Sequence, residues 1–292
     1  MAGATLPVAG ARLARASATH PLAGSVAALD RTVEWMSFRL ADEACIAWPE
    51  WSGCERALRD ADFFAAWRAA IAERLVERHG TVPERTTGGY VLQWYLGVPG
   101  YTGAMLFHHS RRVPSLEPRR LAFRLEPAWV ESVALGPGRF WCLPDDPDRR
   151  HPDAVVVADE TALAAVLRQQ FVAHAARFLR VFGPTVRFGR RTLWAAATDV
   201  LDSGLLMAGR SRGDDEAGVA DARLVLGECH APLTSASTTR ALTDPQGRTH
   251  WTRARGSCCF YYALPGVAQA CATCPRVDDA ERARILGELQ RD

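Results

Sequence analysis

The chain has 292 residues, with 35 basic and 33 acidic side chains and a formal net charge of +2 at pH 7. So even a balance argues against a nucleic-acid or membrane-surface partner selected by bulk charge. Apolar residues at 48% and charged residues at 23% are those of a chain that folds, and no apolar run reaches the roughly 18 residues of a membrane span.

The opening stretch "MAGATLPVAGARLARASATHPLAGSV" is rich in small residues and has no acid before Asp30. It lacks the unbroken apolar region of a secretion signal and reads as a frayed cytosolic start. From Cys54 to His79, Leu58, Phe63, Trp67, Ile71, Leu75 and Val76 recur mostly at three- and four-residue intervals. That spacing predicts one amphipathic helix, stopped by Gly80 and Pro83. The stretch from Thr86 to Pro114 is apolar on most sides and is interrupted by Gly97, Pro99 and Gly100, so two short buried helices with a break are expected. Strands and turns follow, with alternation at Leu121, Phe123 and Leu125 and a Gly136-Pro137-Gly138 turn.

Asp159 is placed to cap a long helix with an apolar stripe from Leu163 to Phe182, closing at Gly183-Pro184. "RRTLWAAATDVLDSGLLMAG" predicts a second helix, and "RSRGDDEAGVADARLVLGE" an exposed loop and a third. The segment "TSASTTRALTDPQGRTHWTRARGS" reads as a polar connection with turns at Asp244-Pro245 and Gln246-Gly247. A short terminal helix lies in "DDAERARILGELQRD". The fold class is therefore α+β: a mostly helical body over 1–250, with a small antiparallel β section, and a short C-terminal cysteine segment over 251–292. No internal repeat is present.

Four of the eight cysteines, Cys45, Cys54, Cys142 and Cys229, are scattered. They argue against a disulfide framework and read as reduced, buried thiols. The other four, Cys258, Cys259, Cys271 and Cys274, fall within seventeen positions. A zinc site, an iron-sulfur cluster and two disulfides are the physical uses of such a group. Zinc sites usually clasp the ion between two C-x-x-C knuckles, and only one is present here. Neighbouring side chains in extended backbone point to opposite sides, so Cys258 and Cys259 converge on one small ion only at a sharp bend. A two-iron cluster spreads four ligands over two metals, and the spacing tilts toward it.

"RGSCCFYYALPGVAQACATCP" resembles the C-terminal signature of the FhuF-type ferric-siderophore reductases. There a cysteine pair, a spacer and C-x-x-C hold a 2Fe-2S cluster, with an arginine before the pair and a tyrosine-leucine-proline turn after it. The spacer from Phe260 to Ala270 has eleven residues, where ten is usual. "YVLQWYLGVPGYTGAMLFHHSRRVP" and "RRTLWAAATDVL" are more loosely similar to the body of that family. The resemblance implies a cytoplasmic oxidoreductase in which Cys258, Cys259, Cys271 and Cys274 bind a 2Fe-2S cluster. One electron would pass to siderophore-bound Fe(III), with no catalytic group beyond the cluster. It implies a ferric siderophore and an unidentified electron donor as partners, transient association with an inner-membrane siderophore importer, and no nucleic acid. A siderophore-binding protein with a structural four-cysteine zinc site and a 2Fe-2S carrier for an unrelated enzyme are the alternatives.

Arg253, Arg255 and Arg276 flank the cysteines and can raise the potential of an anionic centre. Phe260, Tyr261 and Tyr262 are expected to pack the cysteine segment on the body. Arg111, Arg112, Arg190 and Arg191 are the candidates to meet an anionic ferric chelate, since guanidinium forks match oxygen-rich anions. His108 and His109 read as a helix-end cap on the surface, and Trp94, Tyr95, Phe107 and Trp194 as core. No G-x-G-x-x-G or P-loop points to a built-in nucleotide cofactor.

Overall fold

In the computed structural model, which describes residues 20–42 and 50–289, the apolar stretch around Pro99 forms the central axis of the body. Eight α-helices are described: α1 (Pro21–Thr32), α2 (Cys54–Arg59), α3 (Phe63–His79), α4 (Glu84–Ser110), α5 (Glu160–Phe182), α6 (Arg190–Arg210), α7 (Asp215–Val225) and α8 (Asp279–Leu289). Helix α4 is continuous over 27 residues, where two helices and a break were expected. Proline inside a helix removes one hydrogen bond and costs about 3 kcal/mol or more. Packing on several sides offsets this, because Val91 to Phe107 are almost wholly buried. A Cβ on Gly100 would stand 2.7 Å from Val200 Cγ1 and 3.2 Å from the Phe171 ring, so glycine here lets α5 and α6 close on α4.

The long helix expected over 54–79 is two, α2 and α3. Asp60 Oδ1 accepts the Asp62 backbone N–H at 3.0 Å, a local turn that competes with helix continuation. Gly80 ends α3 at φ 77° and Asp159 caps α5 by accepting Ala162 N–H at 2.8 Å, both as expected. Tyr95 of α4 stacks on Phe178 of α5 at 4.0 Å between ring centroids, and Phe178 on Phe182 at 5.1 Å.

The strands are β1 (Ser37–Leu40), β2 (Ser52–Gly53), β3 (Arg112–Pro114), β4 (Leu121–Leu125), β5 (Val130–Leu135), β6 (Phe140–Cys142), β7 (Ala154–Val156), β8 (Thr239–Thr243) and β9 (Thr249–Arg253). One sheet has the order β1-β5-β4-β2 and another β3-β6-β7. Their pairings are antiparallel except β1–β5 and β6–β7, which are parallel. The α+β class thus holds, with small mixed sheets beside a helical body.

The polar connection expected before the cysteines is a hairpin, β8–β9. Asp244 folds its turn by accepting the backbone N–H groups of Gln246 (2.8 Å) and Arg248 (2.9 Å), the Arg248 guanidinium and the His250 ring. Arg248 donates to Gly287 O (2.8 Å) and Arg240 pairs with Asp279, so the hairpin and α8 form one unit. The expected division at 250 falls within β9. Residues 1–19 and Cys45 lie outside the described residues, and residues 21–26 of the expected frayed start lie within α1. No described helix is long and apolar enough to cross a membrane.

Candidate metal centre

The loop between β9 and α8 carries the four clustered cysteines, and a buried carboxylate on α6 fixes its entry. Asp199 accepts the backbone N–H of Gly256 (2.7 Å), the backbone N–H of Ser257 (2.8 Å) and the Ser257 hydroxyl (2.5 Å). Burial pushes the Asp199 carboxyl above its ordinary range, opposed by Arg253, Ser257, Arg255 and Gly256. Small residues let the loop approach: a Cβ on Gly256 would lie 3.4 Å from Ala195 Cβ, and one on Gly89 of α4 would lie 3.3 Å from Cys259 O. Phe260 then takes a left-handed conformation at φ 60°, stacks on Phe188 at 5.7 Å and 12°, and accepts from Thr86 Oγ1 at 3.4 Å. On the far side Arg282, 2% exposed, donates to Ala272 O (2.6 Å), Val277 O (3.0 Å) and Cys274 O (3.3 Å). The C-x-x-C is thereby tied to α8.

The thiols meet in two pairs. Cys259 and Cys271 act on one another, which holds the Cys271 thiol down at about 6 and pushes Cys259 up. Cys274 is a buried thiol raised first by desolvation, and Cys258 and Cys259 raise it further. Among the described residues, the group of three or more metal-capable side chains with all ligand atoms within 4.8 Å is His20, His151 and Asp153, and it includes no cysteine. A tetrahedral zinc with 2.3 Å bonds requires sulfurs about 3.8 Å apart on every edge. Among the described residues the four sulfurs do not close into such a group, which suits ligands spread over two metals better than one ion.

A buried cation completes the site. Arg255 lies against Cys259 and Cys271, and its Nε and Nη2 are buried with no hydrogen-bond partner. Burial disfavours its charge, while Cys259, Asp199 and Cys271 favour it and prevail. Arg253 Nη1 is also buried and unbonded, 3.9 Å from Asp199 Oδ1. Buried guanidinium donors that make no hydrogen bond, paired only at 3.9 Å with Asp199, fit a centre whose thiolate-bound form is net negative.

Cys259 and Cys271 also form part of the wall of an open chamber of about 460 Å³. Its other walls include Trp35, Tyr90, Trp94 and Tyr101, with Arg253, Arg255 and Thr273 at the thiol side. Trp35 stands edge-on to Tyr101 at 5.1 Å and is 41% exposed, so an aromatic lip faces solvent. The Tyr90 phenol is raised to about 12, first by burial and then by the Cys259 sulfur, and stays neutral.

Residues 255–276 match the family model described as FhuF 2Fe-2S C-terminal domain. The cysteine loop is similar to the FhuF 2Fe-2S C-terminal domain. That domain points to a 2Fe-2S cluster as cofactor, and the paired thiols and buried arginine fit it. No curated protein matches the chain. Among solved structures, the aerobactin synthetase IucC from a hypervirulent pathotype of Klebsiella pneumoniae is similar at 13% identity with a TM-score of 0.41. The match covers 61% of this chain and 32% of that one, so the chain spans about a third of the synthetase's length.

Relative to the FhuF domain, the basic residues singled out in the sequence divide. Arg111 and Arg112 follow the last turn of α4, while Gly89 at its other end touches Cys259; 22 residues at 1.5 Å each separate them by about 33 Å. Arg111 pairs with Asp221 (2.8 Å) and Glu160 (2.8 Å). Arg112, 6% exposed, places all five of its N–H donors on Asp146, Asp148, Pro21 O and Ser25. Both guanidiniums hold the body together and neither is offered to a chelate. Arg190 and Arg191 are exposed near the FhuF domain, in the first turn of α6, but do not line the chamber.

His108 is buried rather than a surface cap, with Nδ1 2.7 Å from Asp221 Oδ2. Cys54 and Cys142 are buried as expected, whereas Cys229 is exposed. Tyr95, Phe107 and Trp194 are core, and Trp94 lines the chamber. Of the aromatic run, Phe260 packs on the body, Tyr261 is 38% exposed, and Tyr262 lies under Arg276 at 4.4 Å. Asp199, Trp35, Tyr90 and Tyr101 were not singled out. Asp199 had a signal, an acid within the mostly buried run of α6 from Leu193 to Leu201.

Proposed function

We propose that the protein is a cytoplasmic ferric-siderophore reductase. The observation that carries this reading is the aromatic chamber whose wall contains Cys259 and Cys271, because it brings a docked organic chelate beside the thiols. Cys258, Cys259, Cys271 and Cys274 would hold the 2Fe-2S cluster, Cys259 with Cys271 on the chamber side and Cys258 with Cys274 on the side away from the chamber. When bound, the cluster supplies one electron at a time.

Trp35, Tyr90, Trp94 and Tyr101 offer ring faces and edges to the organic shell of the chelate. Asp199 orients the loop that presents Cys258 and Cys259. Arg255 and Arg253 place positive charge beside the thiolates and favour the added electron. Iron(III) gains the electron and becomes iron(II); no proton, nucleophile or general base takes part. Hard oxygen donors hold the softer iron(II) less well, so reduction is itself the release step.

The test is a single turnover under argon. Protein reduced by one electron is mixed with ferric hydroxamate, catecholate or citrate complexes and a colour-forming iron(II) trap. The expected result is trapped iron(II) equal to the electrons lost by the protein. Reduced protein that keeps its electron with every chelate would overturn the reading.

A further inference from the structure

The chamber covers one side of the cysteine loop; a positive face covers the side of the Phe260 turn. Arg85 lies 5.9 Å over the Phe260 ring, and Arg187 is next in sequence to Phe188, which stacks on Phe260. Arg190 and Arg191 follow in the first turn of α6, and all four arginines are exposed. Across 84–91, 183–191 and 258–262 the acid is Glu84, and Arg68 binds it at 2.7 Å.

Two helix amino-termini add to this charge. Helices α4 and α6 both begin here, brought together where Gly88 meets Val186 and Phe188. The first turn of α6 has no acid and its cap Gly189 makes no side-chain hydrogen bond. Arginines at 190 and 191 therefore sit at a positive dipole end, which is electrostatically unfavourable for the helix. A chain with a net charge of only +2 gathers four of its arginines there. The face is also next to the thiols: the Phe260 backbone N–H donates to Cys258 Sγ at 3.3 Å.

We propose that this arginine face is the docking surface for an acidic one-electron carrier protein, which delivers electrons at the Phe260 side while the chelate occupies the chamber. The inference rests on the reductase reading for the chelate, but the docking stands on charge complementarity alone. The step balances simply: the carrier loses one electron, the cysteine-held centre gains it, and no bond or proton moves.

The test uses the cluster-loaded protein and, as probe, an acidic plant-type 2Fe-2S ferredoxin. Binding of oxidised ferredoxin is measured by calorimetry at about 20 and 200 mM salt, where screening differs strongly. The parent is expected to bind at least about tenfold more weakly at the higher salt, and R187E/R190E/R191E at least about tenfold more weakly than the parent at the lower salt. A control, R59E/R119E/R223E, makes the same charge change elsewhere and should bind within about threefold of the parent. Thermal unfolding and visible spectra that match the parent establish that the variants are folded and loaded. In stopped flow, reduced ferredoxin should reduce the patch variant about tenfold more slowly, while a photoreduced neutral deazaflavin reduces both equally.

Equal ferredoxin binding by parent and patch variant, or equal losses in patch and control variants, overturns the proposal. So does binding of the patch to phosphatidylglycerol vesicles with no effect on ferredoxin, which would make it a membrane contact. If ferredoxin depends on the arginines and no ferric chelate is reduced, the docking face stands and the reductase reading fails.

Discussion

Asp199 receives both the backbone N–H and the hydroxyl of Ser257, at 2.8 and 2.5 Å, from a position in the middle of α6. One helix of the body thus holds the residue immediately before the cysteine pair. Asp199→Ala leaves three donors without an acceptor and two buried arginines without their nearby counter-charge, and removing one partner of such a group costs about 3 kcal/mol. Ser257→Ala, which loses one hydrogen bond, should cost about 1 kcal/mol. Urea unfolding measures both, and iron content after purification should fall in Asp199→Ala while Ser257→Ala stays near the parent.

Substitution of the thiols should separate by position. Cys258→Ser, Cys259→Ser, Cys271→Ser and Cys274→Ser should each lose most iron and acid-labile sulfide, while Cys229→Ser, at an exposed site, keeps both. Where a variant retains residual cluster, Cys259→Ser and Cys271→Ser should give similar low-temperature paramagnetic spectra, distinct from those of Cys258→Ser and Cys274→Ser. Spectra grouped in any other way would reject the pairing.

The chamber predicts a loss confined to substrate affinity. Trp94→Leu and Tyr101→Leu remove ring surface without touching the thiols, so KM for a ferric chelate should rise about tenfold, the equivalent of one lost aromatic contact of about 1.4 kcal/mol. Iron content and visible spectrum should not change. An unaltered KM in both variants would place the chelate elsewhere.

The Phe260–Phe188 stack is expected to join the cysteine loop to the body. Phe260→Ala and Phe188→Ala should each destabilise by about 2 kcal/mol, less than a fully buried ring because Phe260 is half-buried. The double variant should lose little more than either single one, since both remove the same contact. Additive losses in chemical unfolding would show that the rings act separately.

Acid should weaken the body through Asp221 and Asp146. Burial alone would raise both carboxyls, but the hydrogen bonds from His108 and Arg111 at Asp221, and from Arg112 at Asp146, hold them below the ordinary range. A depressed carboxyl contributes stability that is complete above its unfolded value near 3.9 and is lost as pH falls through the lower folded value. The urea midpoint, read by far-UV circular dichroism, should therefore drop steeply below about pH 4. Asp221→Asn should cost about 2 kcal/mol at pH 7 and flatten that drop, a discount from a fully buried pair because the Arg111 side chain is 33% exposed.

Local chemistry made much of this legible in the residues themselves. Asp159 caps α5 and Gly80 closes α3 because caps act within one turn, and the apolar stripe from Leu163 to Phe182 needs only the period of a helix. Cys258, Cys259, Cys271 and Cys274 could be read together because the loop that unites them is short. Signals that compete at short range were harder: Asp60 split one helix into two, and Asp244 turned a polar connection into a hairpin.

Only the tertiary structure decided the rest, because it depends on residues far apart in sequence. Pro99 stays inside α4 because α5 and α6 close around Gly100, and nothing within one turn of Pro99 encodes that. Arg112 and Arg190 carry the same charge, yet Asp146 and Asp148 bury one while the other stands exposed on the α6 end. The chamber takes Trp35 from before β1, Tyr90 to Tyr101 from α4, Asp199 from α6 and two cysteines from the last loop. The sequence alone named the four thiols; the packing of α4 against α6 determined what faces them.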